Sequence, residues 1–388
     1  MSGIVLSASV RQNLLSLQST ADLLSTTQNR LATGNKVNSA LDNPTNFFTA
    51  QSLNNRASDI DNLLDGIGNG VQVLQAANTG ITSLQKLVDT AKSIANQVLQ
   101  TTVGYSTRST VSSTAALGGT AANLVDGVTI KSGDVLAIAA TGGGTATSIT
   151  FGANESLAQL NTALAANNLT ASLDSANKLV ITTTNDAASS TIGAVTYTNT
   201  GGGTVTFGAV GAPVADVASQ DIRSNLVSQY NNIIAQITTT AQDASFNGIN
   251  LLNGDNLKLT FNETGKSTLN ITGVSYNATG LGLNTLVSGT DFLDNNSANS
   301  TIAKLSNASN SLRSEASTLG SNLSIVQIRQ DFSKSLINVL QTGSSNLTLA
   351  DTNEEAANSQ ALSTRQSIAV SALALSNQAQ QSVLQLLR

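Results

Sequence analysis

The stretch IDNLLDGIGNGVQVLQAANTGITSLQKLVDTAKSIANQV, Ile60 to Val98, decides the fold. Apolar or small residues recur at Ile60, Leu63, Ile67, Gly70, Leu74, Ala77, Ile81, Leu84, Val88, Ala91, Ala95 and Val98. Steps of three and four keep this stripe on one face of an α-helix. The seam covers about 39 residues, near 60 Å at 1.5 Å per residue. Gly70 and Ala77 lie on the seam itself, so a partner helix can approach closely there. A helix of this length belongs to a rod more than to an ordinary small domain.

Working upstream, Asn43-Pro44 starts this helix, Asn43 as cap and Pro44 in the first turn, with a bend or restart expected at Ser58-Asp59. An earlier helix spans Ser7 to Thr33, with a stripe at Val10, Leu14, Leu17, Ala21, Leu24, Gln28 and Leu31, and Gly34 ends it. Downstream, from Thr101 to Asp216, Thr, Gly, Ala and Ser dominate. Short β-prone runs stand at Val128-Ile130, Val135-Ala139, Ser148-Phe151, Lys178-Thr183, Thr191-Thr196 and Thr204-Phe207. One amphipathic helix, Glu155 to Ala166, interrupts them with Leu157, Leu160 and Leu164 on one face. This reads as a small α+β, mostly β, domain; low-complexity disorder is the competing reading.

Helical period returns at Ile222, Leu226, Tyr230, Ile233 and Ile237. FNGINLLNG, Phe246 to Gly254, and the alternating LKLTF and TLNITG then predict a β-hairpin within residues 246-273. A long helix over Ser297 to Leu340 carries Leu305, Leu312, Ala316, Leu319, Leu323, Val326, Ser333, Ile337 and Leu340. The last, Asn353 to Leu387, carries Ile368, Ala372, Leu375, Ala379, Ser382 and Leu386. The fold class is therefore mainly α: a long antiparallel helical rod or coiled-coil bundle with a β-hairpin and an inserted outer domain.

Composition narrows the function. Charged residues make up 11% of the 388, aromatic residues 3%, and the formal net charge is -5. That balance gives no reason to expect nucleic-acid or anionic-membrane binding. The absence of His and Cys removes the usual near-neutral proton shuttle, thiolate chemistry and the commonest metal ligands. No catalytic, cofactor or metal constellation is expected. The opening MSGIVLSASVRQNLL lacks a basic region before its apolar stretch, and no run of about 18 apolar residues exists. Cytoplasmic residence and export without a cleaved signal peptide both fit.

Antiparallel pairing of N- and C-terminal segments would bury every stripe and carry the insert to the far end. The two terminal helices make a thin pair that buries too little to be stable alone. The missing burial must come from other subunits, with the ends ordering as they assemble. That pattern predicts a polymer.

Three signatures carry a family resemblance: QNRLATGNKVNSALDNPTNFFTAQSL at Gln28-Leu53, FNGINLL at Phe246-Leu252, and LADTNEEAANSQALSTRQSIAVSALALSNQAQQSVLQLL at Leu349-Leu387. In this order they resemble bacterial flagellin, with an alphaproteobacterial-like signature. One departure is that the insert precedes FNGINLL, whereas the variable domain of the best-known members follows it. Glu155-Thr184, ESLAQLNTALAANNLTASLDSANKLVITTT, is similar to a small module of flagellins and hook proteins.

The resemblance implies three layers: an inner one from 1-40 and 350-388, a helical rod from 44-100 and 220-340, and a solvent-facing variable domain over 101-219. It implies a secreted subunit that polymerises with itself into the flagellar filament for swimming. It also implies passage through the flagellar type III export apparatus, a chaperone on the C-terminal segment, a cap protein and a hook-filament junction protein as partners. Alternatives are a junction protein or a secreted surface adhesin.

The residues assigned to polymerisation are Leu14, Leu17, Leu24, Arg30, Leu31, Asn38, Asp42, Asn43, Glu354, Glu355, Arg365, Leu375, Leu384, Leu386 and Leu387. Arg30, Lys36 and Arg56 are expected to meet Asp351, Glu354 and Glu355 across subunits, setting register more than strength, since surface pairs add about 0-1 kcal/mol. Burying each C-terminal leucine should contribute roughly 1.5-3 kcal/mol. Helix capping is the simpler role for Asn38, Asp42 and Asn43. Phe47, Phe48 and Phe246 read as core plugs. SLQKLVDTAKS, Ser83-Ser93, keeps Gln85 but has Lys86 and Val88 where an innate immune receptor meets Arg in some flagellins, so weak recognition is expected.

Overall fold

A computed structural model describes residues 8-386, with side chains to Ser382. It contains six α-helices and ten strands among the described residues. The helices are α1 (Ala8–Thr33), α2 (Pro44–Gln100), α3 (Leu157–Ala165), α4 (Val217–Asp243), α5 (Asn295–Thr348) and α6 (Thr352–Leu386). Long helices toward both ends with a β-rich insert between them are the expected fold class. The chain divides into two compact units. One holds 1-69, 259-269 and 325-388, and the other holds 70-258 and 270-324.

In the first unit α1 packs on α6. Gly34, at φ +70, ends α1, and its carbonyl accepts the Ala350 N–H. The N–H groups of Lys36 and Val37 both reach the Thr348 carbonyl, tying the α1–α2 turn to the end of α5. Asn43 then caps α2, its Oδ1 accepting the Asn46 N–H at 3.1 Å. No break occurs at Ser58-Asp59, because α2 runs as one helix through it. Ala57 and Ile60 of α2 pack with Ile337 and Leu340 of α5, with Leu53, Leu64 and Leu336 around them. Arg56 pairs with Glu263 at 2.9 Å, and the Arg329 guanidinium lies over the Phe261 ring.

In the second unit the α2 seam is buried from Gly70 to Val98 as its period requires. α4 buries Leu226, Tyr230, Ile234, Ile237 and Ala241, while Ile222 is exposed. The next position, Arg223, begins the buried face instead. It is 0% exposed. Its Nε donates to Thr102 O, its Nη1 to Phe292 O, and its Nη2 to Val98 O and Thr101 O. Three of these acceptors, Val98, Thr101 and Thr102, lie at the end of α2 and its exit, where helix carbonyls run out of N–H groups four residues on. The guanidinium is thus satisfied by carbonyls rather than by a carboxylate.

The FNGINLL segment is a cap, not a strand of the hairpin. Asn247 and Gly248 take φ of +50 and +79, and Phe246 and Ile249 exchange backbone hydrogen bonds across that turn. Asn250 Nδ2 donates to the last carbonyls of α4, Ala241 O and Gln242 O, both at 2.8 Å. Leu252 lies so close to α2 that a Cβ at Gly80 would stand 2.7 Å from its Cδ1. The hairpin itself is β9 (Leu257–Thr260) with β10 (Thr268–Ile271).

The insert is a folded domain, which removes the disorder reading. β1 (Tyr105–Thr107) pairs with β8 (Val214–Ala215) where the chain enters and leaves. β2 (Thr110–Ser112), β6 (Leu179–Thr183) and β5 (Leu169–Leu173) form one antiparallel sheet in that order. β4 (Thr147–Thr150), β3 (Val135–Ile138) and β7 (Val195–Thr198) form the other. α3 starts with a capping box between Ser156 and Gln159, and Leu160 and Leu164 enter the core with Leu136, Ile138, Phe151, Leu179 and Ile181. Neither Val128-Ile130 nor Thr204-Phe207 is a strand, whereas β1, β2, β5 and β8 lie outside the β-prone runs of the sequence.

Candidate self-association interface

The face of α6 that meets α1 runs Glu355, Ser359, Leu362, Gln366, Ala369, Leu373, Ser376 and Gln380, all buried or half-buried. The steps alternate four and three, the spacing of a helix–helix seam. Five of these eight residues are polar. A second seam with the same spacing, Ala361, Arg365, Ile368, Ala372, Leu375, Ala379 and Ser382, is exposed at every position. Leu375 is 69% exposed. The stripe expected to bury against α1 therefore faces outward, a correction to the sequence reading. The more apolar face of α6 has no partner within its own unit.

α1 repeats the pattern. Its buried or half-buried face is Val10, Asn13, Leu17, Thr20, Leu24 and Thr27. Leu17 and Leu24 point inward as expected, but Leu14 and Leu31 are exposed together with Leu15 and Leu23. The threonines fit because each hydroxyl can bond back along the helix; Thr20 Oγ1 donates to Ser16 O at 2.8 Å. Polar seam residues keep the α1–α6 pair weak and leave oily residues on the outside.

The charged residues are used inside the chain. Arg30 Nη1 meets Glu355 Oε1 at 3.3 Å, with Glu355 only 8% exposed. Arg56 is held by Glu263. Both pairs form within one chain. Asp351 caps α6, its Oδ1 accepting the N–H groups of Asn353 and Glu354. Glu354 and Glu355 in the first turn favour the helix dipole. Glu354 and Arg365 are exposed.

Asn38, Asp42 and Asn43 are satisfied within the turn. Asp42 Oδ2 accepts the N–H groups of Ser39 and Asn38 and the Ser39 hydroxyl. These bonds, the Ser39 N–H first, hold the Asp42 carboxyl below its ordinary value. Asn38 Nδ2 donates to Asn35 O. Of the three rings read as plugs, none is sealed in a core: Phe47 is half-buried and edge-on to the exposed Phe48, and Phe246 is 36% exposed. Val88 is fully buried and cannot meet a receptor, while Lys86 is exposed. Leu384 and Leu386 lie at the end of α6 with side chains outside the described residues, and Leu387 lies outside them altogether.

Among the described residues no group of three or more Asp or Glu is placed to hold a metal, and no helix is long and apolar enough to cross a membrane.

Comparison with known proteins agrees with these features. The bacterial flagellin N-terminal helical region matches residues 5-124, and the bacterial flagellin C-terminal helical region matches residues 302-387. Flagellin FljM of Caulobacter vibrioides is 32% identical over 165 residues, covering 42% of this chain and 59% of that protein. Flagellin FljK of the same organism is 30% identical over 165 residues, with the same coverage. A flagellin of Brucella melitensis is 27% identical over 182 residues, covering 44% of this chain and 64% of its own length. The chain thus spans less than two thirds of these relatives. The N-terminal match covers α1, α2 and the first strands of the insert, and the C-terminal match covers α6 and all but the start of α5; the chain belongs to the bacterial flagellin family.

Proposed function

We propose that the chain is a structural subunit that polymerises into the flagellar filament, the outer faces of α1 and α6 binding neighbouring subunits. The observation that carries this reading is the inversion on α6. Its polar seam lies against α1 and its apolar seam, Ile368 through Ala379, lies in solvent. A helix with two seams is built to pack on two sides. Burying an exposed Leu or Ile contributes roughly 1.5-3 kcal/mol, so a few such side chains suffice to drive association. Leu14, Leu31, Leu375 and the C-terminal Leu384, Leu386 and Leu387 are the contacts in this reading. Leu17 and Leu24 hold the α1–α6 pair that presents them.

The finer expectations follow from family membership: secretion through the flagellar type III apparatus without a cleaved signal peptide, and contact with an export chaperone, a cap protein and a hook-filament junction protein. The reading supports a structural role and no enzymatic one. Removing residues 350-388 tests it. Seeded polymerisation and swimming should both be lost while the insert stays folded by circular dichroism and hydrogen exchange. Normal filaments from the shortened chain would end the proposal.

A further inference from the structure

The residue before α5, Asp294, uses both of its carboxylate oxygens. Oδ1 accepts the Ser297 N–H at 3.0 Å and so caps the helix, while Oδ2 accepts the Ser189 hydroxyl of the insert at 2.6 Å. Two residues on, Asn296 Nδ2 donates to Gly142 O, also of the insert, at 3.2 Å. Among the described residues these are the two hydrogen bonds that join the body of the insert, 109-210, to the helices. All the residues involved belong to the second compact unit.

The two points on the insert form one ledge. Ser189 follows the short 3-10 turn Asn185–Ala187, and a Cβ at Gly142 would stand 2.4 Å from that of Ala187. Gly142 takes φ +54, and its carbonyl also accepts Asn168 Nδ2 at 3.2 Å, which ties the ledge to the start of β5. On the side of the helices, Asp294 stands in the field of Arg223: burial lowers the guanidinium's value, and the Asp294 charge opposes that shift. Arg223 is itself fixed by four carbonyls. The remaining connection is slight. Among the described residues the apolar core of the insert includes none from α2, α4 or α5. Where the chain enters and leaves, β1 and β8 pair over only two or three residues, too short a ribbon to fix a direction by itself.

We infer that Asp294 and Asn296 are a latch that holds the insert at one angle to the helices of its unit, and that the insert swings on the β1–β8 ribbon when the latch is opened. A latched insert passes a pull into the first turn of α5; a released one takes it up by turning. The inference is independent of whether the chain polymerises.

The chain has no cysteine, so spin labels can be placed on the full chain at Thr150→Cys in β4 and Asn225→Cys on α4, both exposed positions. Electron–electron double resonance then reads the angle as a distance. The latched chain should give one narrow distance. Ser189→Ala or Asn296→Ala should each lower the ratio of latched to released inserts roughly tenfold, and the double variant about a hundredfold, seen as a broad or second distance. Ser189→Thr keeps the hydroxyl and should keep the narrow distance. Hydrogen exchange of β3 and β6 amides should stay at the parent rates throughout, because the insert moves as a body.

A double variant with the parent's narrow distance overturns the latch, as does a parent whose distance is already broad. Broadening accompanied by faster exchange in β3 and β6 also overturns it, since the substitutions would then have loosened the insert itself.

Discussion

The insert and the terminal helix pair solve burial in opposite ways. In the insert, Leu124, Ile130, Leu136, Leu160, Leu164, Leu179 and Ile181 are sealed from solvent, and Val128 is its one large aliphatic side chain left well exposed up to β7. In the terminal pair, Leu15, Leu23, Ile368, Val370 and Leu375 stand outside while Thr20, Thr27 and Glu355 are buried. A domain that closes its own core can fold alone and vary at its surface. A helix pair that hides polar residues and shows apolar ones is unfinished until something covers it. The same low-charge sequence thus encodes one self-sufficient region and one that depends on neighbours.

Arg223 of α4, bonded to carbonyls at the end of α2 where the chain enters the insert, should have the largest effect. Arg223→Ala removes the donors to Val98, Thr101, Thr102 and Phe292 carbonyls and leaves a cavity. A loss of about 3-5 kcal/mol is expected, read as a lower urea midpoint. Arg223→Lys should recover only part of it, because one ammonium cannot match the guanidinium fork. A variant as stable as the parent would show that this junction is not held by the buried cation.

A paired substitution then tests the contrast directly. Leu136→Ala, in the insert core, should cost about 2-5 kcal/mol. Leu375→Ala should change the stability of the free chain by less than about 0.5 kcal/mol, yet weaken polymerisation. Equal losses in the free chain would mean that the terminal pair is as complete as the insert, and the comparison would collapse.

The helical seams of α2 and α5 were legible because their steps of three and four admit one reading each, whereas on α4 Ile222 stands exposed and Arg223 and Ile234 are buried. Ile67 to Val98 in α2 and Leu305 to Leu340 in α5 took the expected faces. On α6 the same reasoning chose the wrong face. Periodicity reports that Ile368, Ala372, Leu375 and Ala379 want cover, not which molecule supplies it, and their apolar character hid the polar seam one step away. Arg223 escaped notice because a lone Arg in an apolar register looks like an interruption; only the fold brings four carbonyls around it. β5 was missed because its alternating Leu169, Ala171 and Leu173 follow α3 with only a short turn, where Asn168 takes φ +58. The pairing of Arg30 with Glu355 was legible as residue types but not as partners within one chain.

Acid separates the two regions more gently. Desolvation pushes the Asp126 carboxyl up, but hydrogen bonds from the Thr129 hydroxyl and the N–H groups of Val128, Thr129 and Ile130 outweigh it and hold the group at about 2. Asp134, fully buried, is likewise held below its ordinary value: burial opposes ionisation, and the Lys131 N–H, the Tyr197 hydroxyl and the Gly201 and Gly203 N–H groups overcome it. A depressed folded value stabilises the fold above the unfolded value near 4 and is lost as pH falls through the folded one. The insert should therefore give up about 2 kcal/mol through Asp126 alone between about pH 5 and pH 2. Hydrogen exchange of β3 and β6 amides against pH would show it. Asp126→Asn should flatten that dependence, and an unchanged slope would refute the assignment.

The smallest expected effect comes from glycines that serve no packing purpose. Gly80 is required, since a Cβ there would stand 2.6 Å from that of Ala244. Gly66 of α2 and Gly320 of α5 have nothing within 4 Å of the place a Cβ would occupy. Inside a helix a glycine costs about 0.5-1 kcal/mol relative to alanine through the freedom it loses on folding. Gly66→Ala and Gly320→Ala should each raise the melting midpoint by a few degrees, while Gly80→Ala lowers it. Polymerisation measured on the same variants sharpens the comparison. Gly66 belongs to the unit that exposes its seams and Gly320 to the unit that buries its own. If Gly66→Ala stabilises the chain but slows assembly while Gly320→Ala only stabilises, then Gly66 is kept for a neighbour that approaches the helix backbone at that point. If both simply stabilise, the cost at Gly66 has no counterpart in assembly, and the proposed contacts between copies stay on the outer faces of α1 and α6.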